Sequence, residues 1–410
     1  MAILTSEFSK LYAGEELEEL KVQYKDYSAW QLKRRESEEF RKQEEYWLKE
    51  FSEEIPVLNM PTDYPRPKVK DFSGDRIIFE LDNTVTEGLR EIAKETGSTM
   101  YMVLLANLKV LLAKYSGQED IVIGSPIAGR NHRDLENIIG MFVNTLAIRS
   151  KVDKELSFKS YLRTVKEKAL KAYENQDYQF EELVEKLNIP RDMSRNQFFD
   201  VMFTMQNTED IEIEMGDLTL KTYEINSKSA KFDLSFDAVE EENKIEIELE
   251  YSTSLFKKET VERIRDHLIN LLKTIIIKPE AKLREVNLIT AEEKTQILTE
   301  FNGKKVDYDF SKTLHELFED NSAKNPDKIA VVYEDEKISY KELNEKSNRV
   351  ANYLRRKGVN VETIVGVMVH RSPIFVESVM GLWKAGGAYI PARCNISNTK
   401  KIRNIARWKC

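Results

Sequence analysis

Thiols and imidazoles are scarce in this chain. Of its 410 residues only two are cysteine, Cys394 and Cys410, and both fall in the last twenty. The body of the protein therefore has neither a disulfide framework nor a thiolate metal site, which suits a cytoplasmic protein. Histidine occurs four times, at His132, His267, His315 and His370, and no two are neighbours. The opening MAILTSEFSK lacks the basic region and longer apolar core of a signal peptide. Membrane-length apolar runs are missing too: the most apolar stretch, residues 100–113, is interrupted by Asn107 and Lys109. There is no basic excess, and a net charge of −8 argues against a nucleic-acid binder. Neither GxxxxGK[ST] nor GxGxxG occurs. What remains is a soluble-type composition, 33% charged and 41% hydrophobic, long enough for two or three domains.

The most informative stretch is DIVIGSPIAGRNHRDLENIIGMFVNTLAIR, residues 120–149. Its apolar run Ile121–Ile123 is too short for a helix and reads as a buried strand, with Gly124, Ser125 and Pro126 expected to end it. Gly129 and Arg130 place a cation in the following connection. A second extended segment, residues 142–148, carries Asn144 and Thr145 among apolar neighbours. Two such side chains need partners, because an unsatisfied buried amide or hydroxyl costs ~1–3 kcal/mol. Strand, glycine turn, cation and polar-marked strand together describe the wall of a crevice.

Around it the periodicity predicts a mixed chain. Residues 3–20 and 34–51 read as helices, and the Pro-rich 58–68 as an extended linker. A strand follows at 77–81, then a helix with Thr84 and Glu87 in a capping-box pattern and Gly97 at its end. Residues 100–114 are apolar nearly all round and predict a central buried helix. A helical period recurs over 158–173 and 261–275, and 199–205 predicts a strand. Residues 211–250 read as consecutive hairpins, with turns at Gly216-Asp217 and Glu242-Asn243. Strands and helices mix without regular alternation, which favours an α+β layer on a mixed sheet. Residues 283–312 read as a linker with one short helix boxed by Thr290 and Glu293. A new unit starts near Thr313, with a hairpin and helix over 328–356 and a strand at 364–369.

Four segments carry a resemblance. IIGMFVNTLAIR (138–149), YKDYSAW (24–30), NQDYQFE (175–181) and RDMSRNQF (191–198) occur in the order found in condensation domains of nonribosomal peptide synthetases. The resemblance covers roughly residues 1–282. ISYKEL (338–343) and LWKAGGAYIP (382–391) resemble the first two core motifs of adenylation domains. It implies a chloramphenicol-acetyltransferase-like condensation lobe with a mixed sheet, then the beginning of an α/β adenylation domain over 313–391. The family joins two carrier-bound thioester substrates through an amide bond and activates amino acids with ATP and magnesium. Its partners are carrier domains bearing phosphopantetheine. The family's His-His-x-x-x-Asp-Gly motif matches none of the four histidines, so no catalytic residue is assigned in this chain. The expectation is a fragment lacking the N-terminal lobe that carries this motif. The Gly/Ser/Thr-rich ATP loop also has no match, and no cofactor or metal ligand is assigned. Residues 392–410 depart from the pattern with six cations and no acid; they are expected to be an atypical, disordered tail from an interrupted reading frame.

Candidate residues are weighed accordingly. Ser125 lacks GxSxG surroundings and a histidine partner, and reads as a turn residue. His132 reads as a loop residue, and the other histidines as lacking partner clusters. Gly386 and Gly387 read as a turn or close backbone packing. Asn144 and Thr145 either satisfy a buried strand edge or face the channel where carrier arms enter. Arg191, Asp192 and Arg195 are expected to form an ion-pair and turn network shaping the lobe. The charged helix at 34–50 is a solvated face or a carrier-docking surface. By the resemblance, Arg130 is the partner of the aspartate in the missing motif; without it, Arg130 is expected to be solvated or to borrow Asp134 or Glu136. Two rival functions stay open: a non-catalytic module that docks carriers or complements a separate lobe, and a free-standing acyltransferase using a soluble thioester.

Overall fold

The computed structural model describes residues 2–206, 213–215, 218–220, 228–303, 306–307 and 310–391. The chain divides into two units, Met1–Phe301 and Asn302–Cys410. The tail expected to be disordered, 392–410, and the Gly216-Asp217 turn lie outside the described residues.

The first unit opens with α1 (Ala2–Tyr12), shorter than the helix expected to residue 20. Gly14 adopts φ 79°, a left-handed conformation that ends the turn. Beyond it Glu15, Glu16, Glu18 and Glu19 would crowd like charges onto one helical face. The helix expected over 34–51 is α3 (Glu38–Glu50), which starts four residues later, and a separate helix, α2 (Tyr24–Arg34), precedes it. Ser37 breaks them by capping α3, its hydroxyl accepting from the Phe40 N–H at 3.2 Å.

After an irregular strap come β1 (Gly74–Leu81), α4 (Asn83–Thr96) and α5 (Met100–Ser116). The cap of α4 is Asp82, not Thr84: its carboxylate accepts from the Val85 N–H at 2.9 Å. Glu87 pairs with Arg90 at 2.6 Å. Helix α5 is buried all round from Met102 to Leu112. Each large apolar side chain so placed contributes ~1.5–3 kcal/mol relative to exposure.

Strands β2 (Asp120–Ile127) and β3 (Asn144–Lys151) follow, then α6 (Phe158–Glu174), α7 (Phe180–Leu187), β4 (Val201–Gln206), β5 (Ile213–Met215), β6 (Leu218–Leu220), β7 (Leu234–Glu240), β8 (Ile245–Ser252), α8 (Lys258–Ile277) and α9 (Ala291–Thr295). Gly124, Ser125 and Pro126 do not stop β2; they lie inside it, paired with Ala147, Leu146 and Thr145 of β3. Gly124 is required by packing: a Cβ there would meet the Phe199 ring at 2.1 Å. Ser125 is a strand residue, not a turn residue, and its buried hydroxyl donates to the Phe203 carbonyl at 2.9 Å.

The sheet order is β1-β8-β7-β4-β2-β3. Its inner pairs β7/β4 and β4/β2 are parallel, and the outer pairs are antiparallel. The sheet is mixed as expected, and 211–250 hold two antiparallel strand pairs in succession: β5/β6 as a separate two-stranded sheet, and β7/β8 within the main sheet around Glu242-Asn243. Helices α4, α5, α6 and α8 pack together beside the sheet, with α5 against β2. Leu283 and Val286, expected in a linker, are buried in this core.

The second unit contains α10 (Leu314–Lys324), β9 (Ile329–Tyr333), β10 (Glu336–Ser339), α11 (Tyr340–Arg356), β11 (Ile364–Val367), α12 (Pro373–Lys384) and β12 (Ala388–Pro391). Strands β9 and β10 form the expected hairpin. Ser339 and Glu342 close a capping box on α11. Strands β11 and β12 pair in parallel, joined by α12. Gly386 has φ 89°, and a Cβ on Gly387 would meet the Leu382 side chain at 2.6 Å. Turn and close packing account for both glycines.

Candidate functional site

The structure brings three of the four motifs together around the start of β3. Asn144, 4% exposed, uses its whole amide. Its Nδ2 donates to the carbonyls of Gln176 (2.8 Å) and Tyr178 (2.9 Å). Its Oδ1 accepts from the N–H groups of Thr145 (2.8 Å) and Phe180 (3.1 Å). The loop 175–180 is thereby fastened to the strand. Two residues that sequence reading missed complete the clamp from α3. The Gln43 Oε1 accepts from the Asp177 and Tyr178 N–H groups at 3.0 and 3.1 Å. The Trp47 indole donates to the Asn175 carbonyl at 2.8 Å. Arg34 closes it with an ion pair to Asp177 at 2.8 Å. The signal was present in Gln43 and Trp47, four apart on the apolar stripe of α3, where a glutamine is out of place.

Helix α2 docks beside this clamp. The Tyr24 hydroxyl donates to the Met141 carbonyl at 2.9 Å, and the rings of Tyr24 and Tyr27 pack on Phe142 at 5.2 and 4.6 Å. A side chain on Gly140 would meet the Tyr24 ring at 2.2 Å. Ile139, Met141 and Val143 of the same segment point to solvent.

Arg130 neither borrows a carboxylate nor stands free. Its guanidinium donates to the Leu135 carbonyl and lies 4.2 Å from the Phe142 ring centroid. Asp134 sits beside His132 instead, at 3.5 Å. Thr145 is half-buried and lines a shallow cleft with Trp47, Tyr178 and Phe180.

The fourth motif lies elsewhere. Arg195 pairs with Asp200 at 2.8 Å and donates to the Leu58 carbonyl at 2.9 Å. Arg66 forks onto Asp233, one arm at 3.0 Å, and reaches the Ser194 carbonyl at 3.3 Å. Asp192 accepts from the Ser194 N–H (2.8 Å) and hydroxyl (2.6 Å), which hold its carboxyl below the usual range. Burial, then the neighbouring Asp233 carboxylate, push Asp200 upward. Arg191 is exposed and takes no part in the network.

The helix over 34–50 is not simply a solvated face: Glu44 and Glu50 pair with Lys186 and Lys168 at 2.9 and 2.6 Å. His267 does have partners, contrary to expectation. Its Nδ1 lies 2.6 Å from the Tyr115 hydroxyl and its Nε2 2.8 Å from Glu293, which also closes the capping box with Thr290. Among the described residues no His/Cys/Asp/Glu group is arranged to hold a metal ion. No Gly/Ser/Thr-rich phosphate loop occurs in the chain, and Gly387 packs on the Leu382 side chain. Among the described residues no single helix is long and apolar enough to cross a membrane.

These motifs and folds have counterparts. Residues 1–298 match the family model of the condensation domain, and residues 318–401 that of the AMP-binding enzyme. The chain belongs to the condensation-domain family, with the start of an AMP-binding domain following. Bacitracin synthase 3 of Bacillus licheniformis is 50% identical over 391 residues, which is 95% of this chain and 6% of the relative. Gramicidin S synthase 2 of Aneurinibacillus migulanus is 50% identical over 392 residues, 95% of this chain and 9% of the relative. A four-domain nonribosomal peptide synthetase bound to AMP and glycine superposes with a TM-score of 0.69 at 26% identity, over 91% of this chain and 29% of that one. The synthetase FmoA3 shares the fold, with a TM-score of 0.73 over 96% of this chain and 42% of that one. The chain is thus a stretch of a nonribosomal peptide synthetase module, and it spans a small fraction of the curated relatives it matches.

Proposed function

We propose that this chain serves amide-bond condensation between carrier-bound thioesters, within a synthetase that also activates amino acids with ATP. Residues 1–282 contribute the C-terminal part of the condensation domain, 283–312 the connection and 313–391 the opening of the adenylation domain, with 392–410 a basic tail. The observation that carries this reading is the clamp at Asn144, where three motifs met separately in the sequence become one contiguous structure. A rigid wall of this kind is suited to position substrates held on mobile arms, since placement supplies much of the rate in group transfer. Carrier domains with phosphopantetheine arms would deliver those substrates. In this proposal Asn144, Asp192 and Arg195 shape the lobe, Thr145 borders the path of an arm, and Arg130 faces a carboxylate from the lobe with the histidine motif.

The chain alone has no acid/base histidine motif and no phosphate loop, so it is expected to catalyse neither half-reaction. Amino-acid-dependent ATP–pyrophosphate exchange should stay at the no-enzyme level. Adding a separately produced lobe with the histidine motif, together with loaded donor and acceptor carriers, should yield dipeptidyl carrier detectable by mass spectrometry. Binding of the lobe without product under any carrier pairing would favour a docking module. Absence of both would overturn the proposal.

A further inference from the structure

A second concavity lies apart from the Asn144 clamp, around the Arg195–Asp200 pair. It runs between residues 51–58 and residues 187–200 and encloses about 580 Å³, within the range of small-molecule sites. Ile55, Leu58, Ile189 and Phe198 supply apolar walls. The charges are one-sided: Glu53, Glu54, Asp192 and Asp200 line it against a single cation, Arg195. That cation is already engaged by Asp200 Oδ2, the Leu58 carbonyl and Asn59.

The floor carries the decisive feature. The Asp200 side chain is 5% exposed, and its Oδ1 has no hydrogen-bond partner. An unsatisfied buried carboxylate oxygen is costly, and native structures rarely leave one without a role. Its second oxygen is held by Arg195, so the carboxylate is fixed in place while half its accepting capacity is unused. Asp233, beside it, is fully occupied by the fork of Arg66. Two guanidinium groups pair with two carboxylates at the floor, with the Lys70 ammonium nearby, while among the described residues the rim acids Glu54 and Asp192 form no direct ion pair.

We propose that this groove binds an organic ammonium ion with an apolar body, its N–H donating to Asp200 Oδ1 and its hydrocarbon lying along Ile55, Leu58 and Phe198. Burying a lone ammonium is unfavourable unless an anion receives it, and here the anion is already desolvated and oriented. Asp200 and Glu53 are already paired with Arg195 and Lys151, so an anionic ligand meets the rim carboxylates of Glu54 and Asp192, and a neutral one leaves their charge uncompensated. The inference does not depend on the condensation reading, because it uses none of the residues of the Asn144 clamp.

The full chain is titrated by calorimetry with 2-phenylethylammonium, 2-phenylethanol and phenylacetate. The ammonium should bind at least ~10-fold more tightly than the alcohol, and phenylacetate should not bind detectably. Asp200→Asn should weaken the ammonium ~10-fold while circular dichroism stays unchanged. Should Asp200→Asn fail to fold, the exposed rim change Glu54→Gln should still weaken binding ~2–3-fold at low salt, and less at high salt. Equal binding of amine and alcohol, tighter binding of phenylacetate, no binding of the amine, or no effect of either substitution would each overturn the proposal.

Discussion

At Asn144 a neutral amide has all four of its hydrogen-bonding positions filled, whereas at Asp200 a carboxylate in the same unit keeps one oxygen unpartnered. Both side chains are almost fully buried. The amide network is made of groups that lose little on leaving water once each is paired, and it holds a loop to a strand. The ionic network holds two guanidinium–carboxylate pairs, whose desolvation is only partly returned by their attraction. A neutral, complete network suits positioning. A charged, incomplete one stays receptive to a further donor.

Breaking the ionic network should cost most. Asp233→Asn keeps the shape but leaves Arg66, whose side chain is 17% exposed, without its counter-charge; a loss of ~3–5 kcal/mol is expected. Urea unfolding, followed by amide exchange in β4 and β7, measures it, and a loss below ~1 kcal/mol would mean water already shares the charge. Next comes the amide: Asn144→Ala removes four hydrogen bonds and should cost ~2–3 kcal/mol. Exchange protection at residues 176–180 should fall while that of α5 persists. Uniform loss across the unit would show that the clamp is not local.

Lys109 tests the comparison from a third side, as a buried amine with two carbonyls and no carboxylate. Its Nζ donates to Ile121 and Ile148 at 3.0 and 2.7 Å, and burial pushes its pKa down to about 7 from 10.5. Between those values the unfolded chain holds a proton that the folded chain has released, so this group makes stability rise with pH across that window. Lys109→Met should flatten the rise in unfolding midpoint between about pH 7 and pH 10, and an unchanged slope would assign it to other groups. The smallest effect is expected at Thr145. Thr145→Val keeps the backbone N–H that meets Asn144 and should change stability by less than ~0.5 kcal/mol. A loss above ~1 kcal/mol would place its hydroxyl in the amide network.

Local chemistry was legible in the sequence wherever a few neighbouring residues decide the outcome. The apolar surround of residues 100–114, the box at Thr290/Glu293 and the left-handed stop at Gly97 are of this kind. The family motifs were legible too, because their residues are contiguous. What neighbours could not specify was decided by contacts across long chain separations. Pro126 continues a strand because β3 supplies a partner along its length, and Gly124 is glycine because Phe199, seventy-five positions on, fills the space of a side chain. The partner of Arg130 proved to be an aromatic face and a carbonyl, since packing brought Phe142 closer than any acid. Periodicity predicted the buried face of α3, but only the fold turned Gln43 and Trp47 toward the 175–180 loop. Side-chain type follows from sequence alone; hydrogen-bond pairing depends on which segments the core brings within about 3 Å of one another.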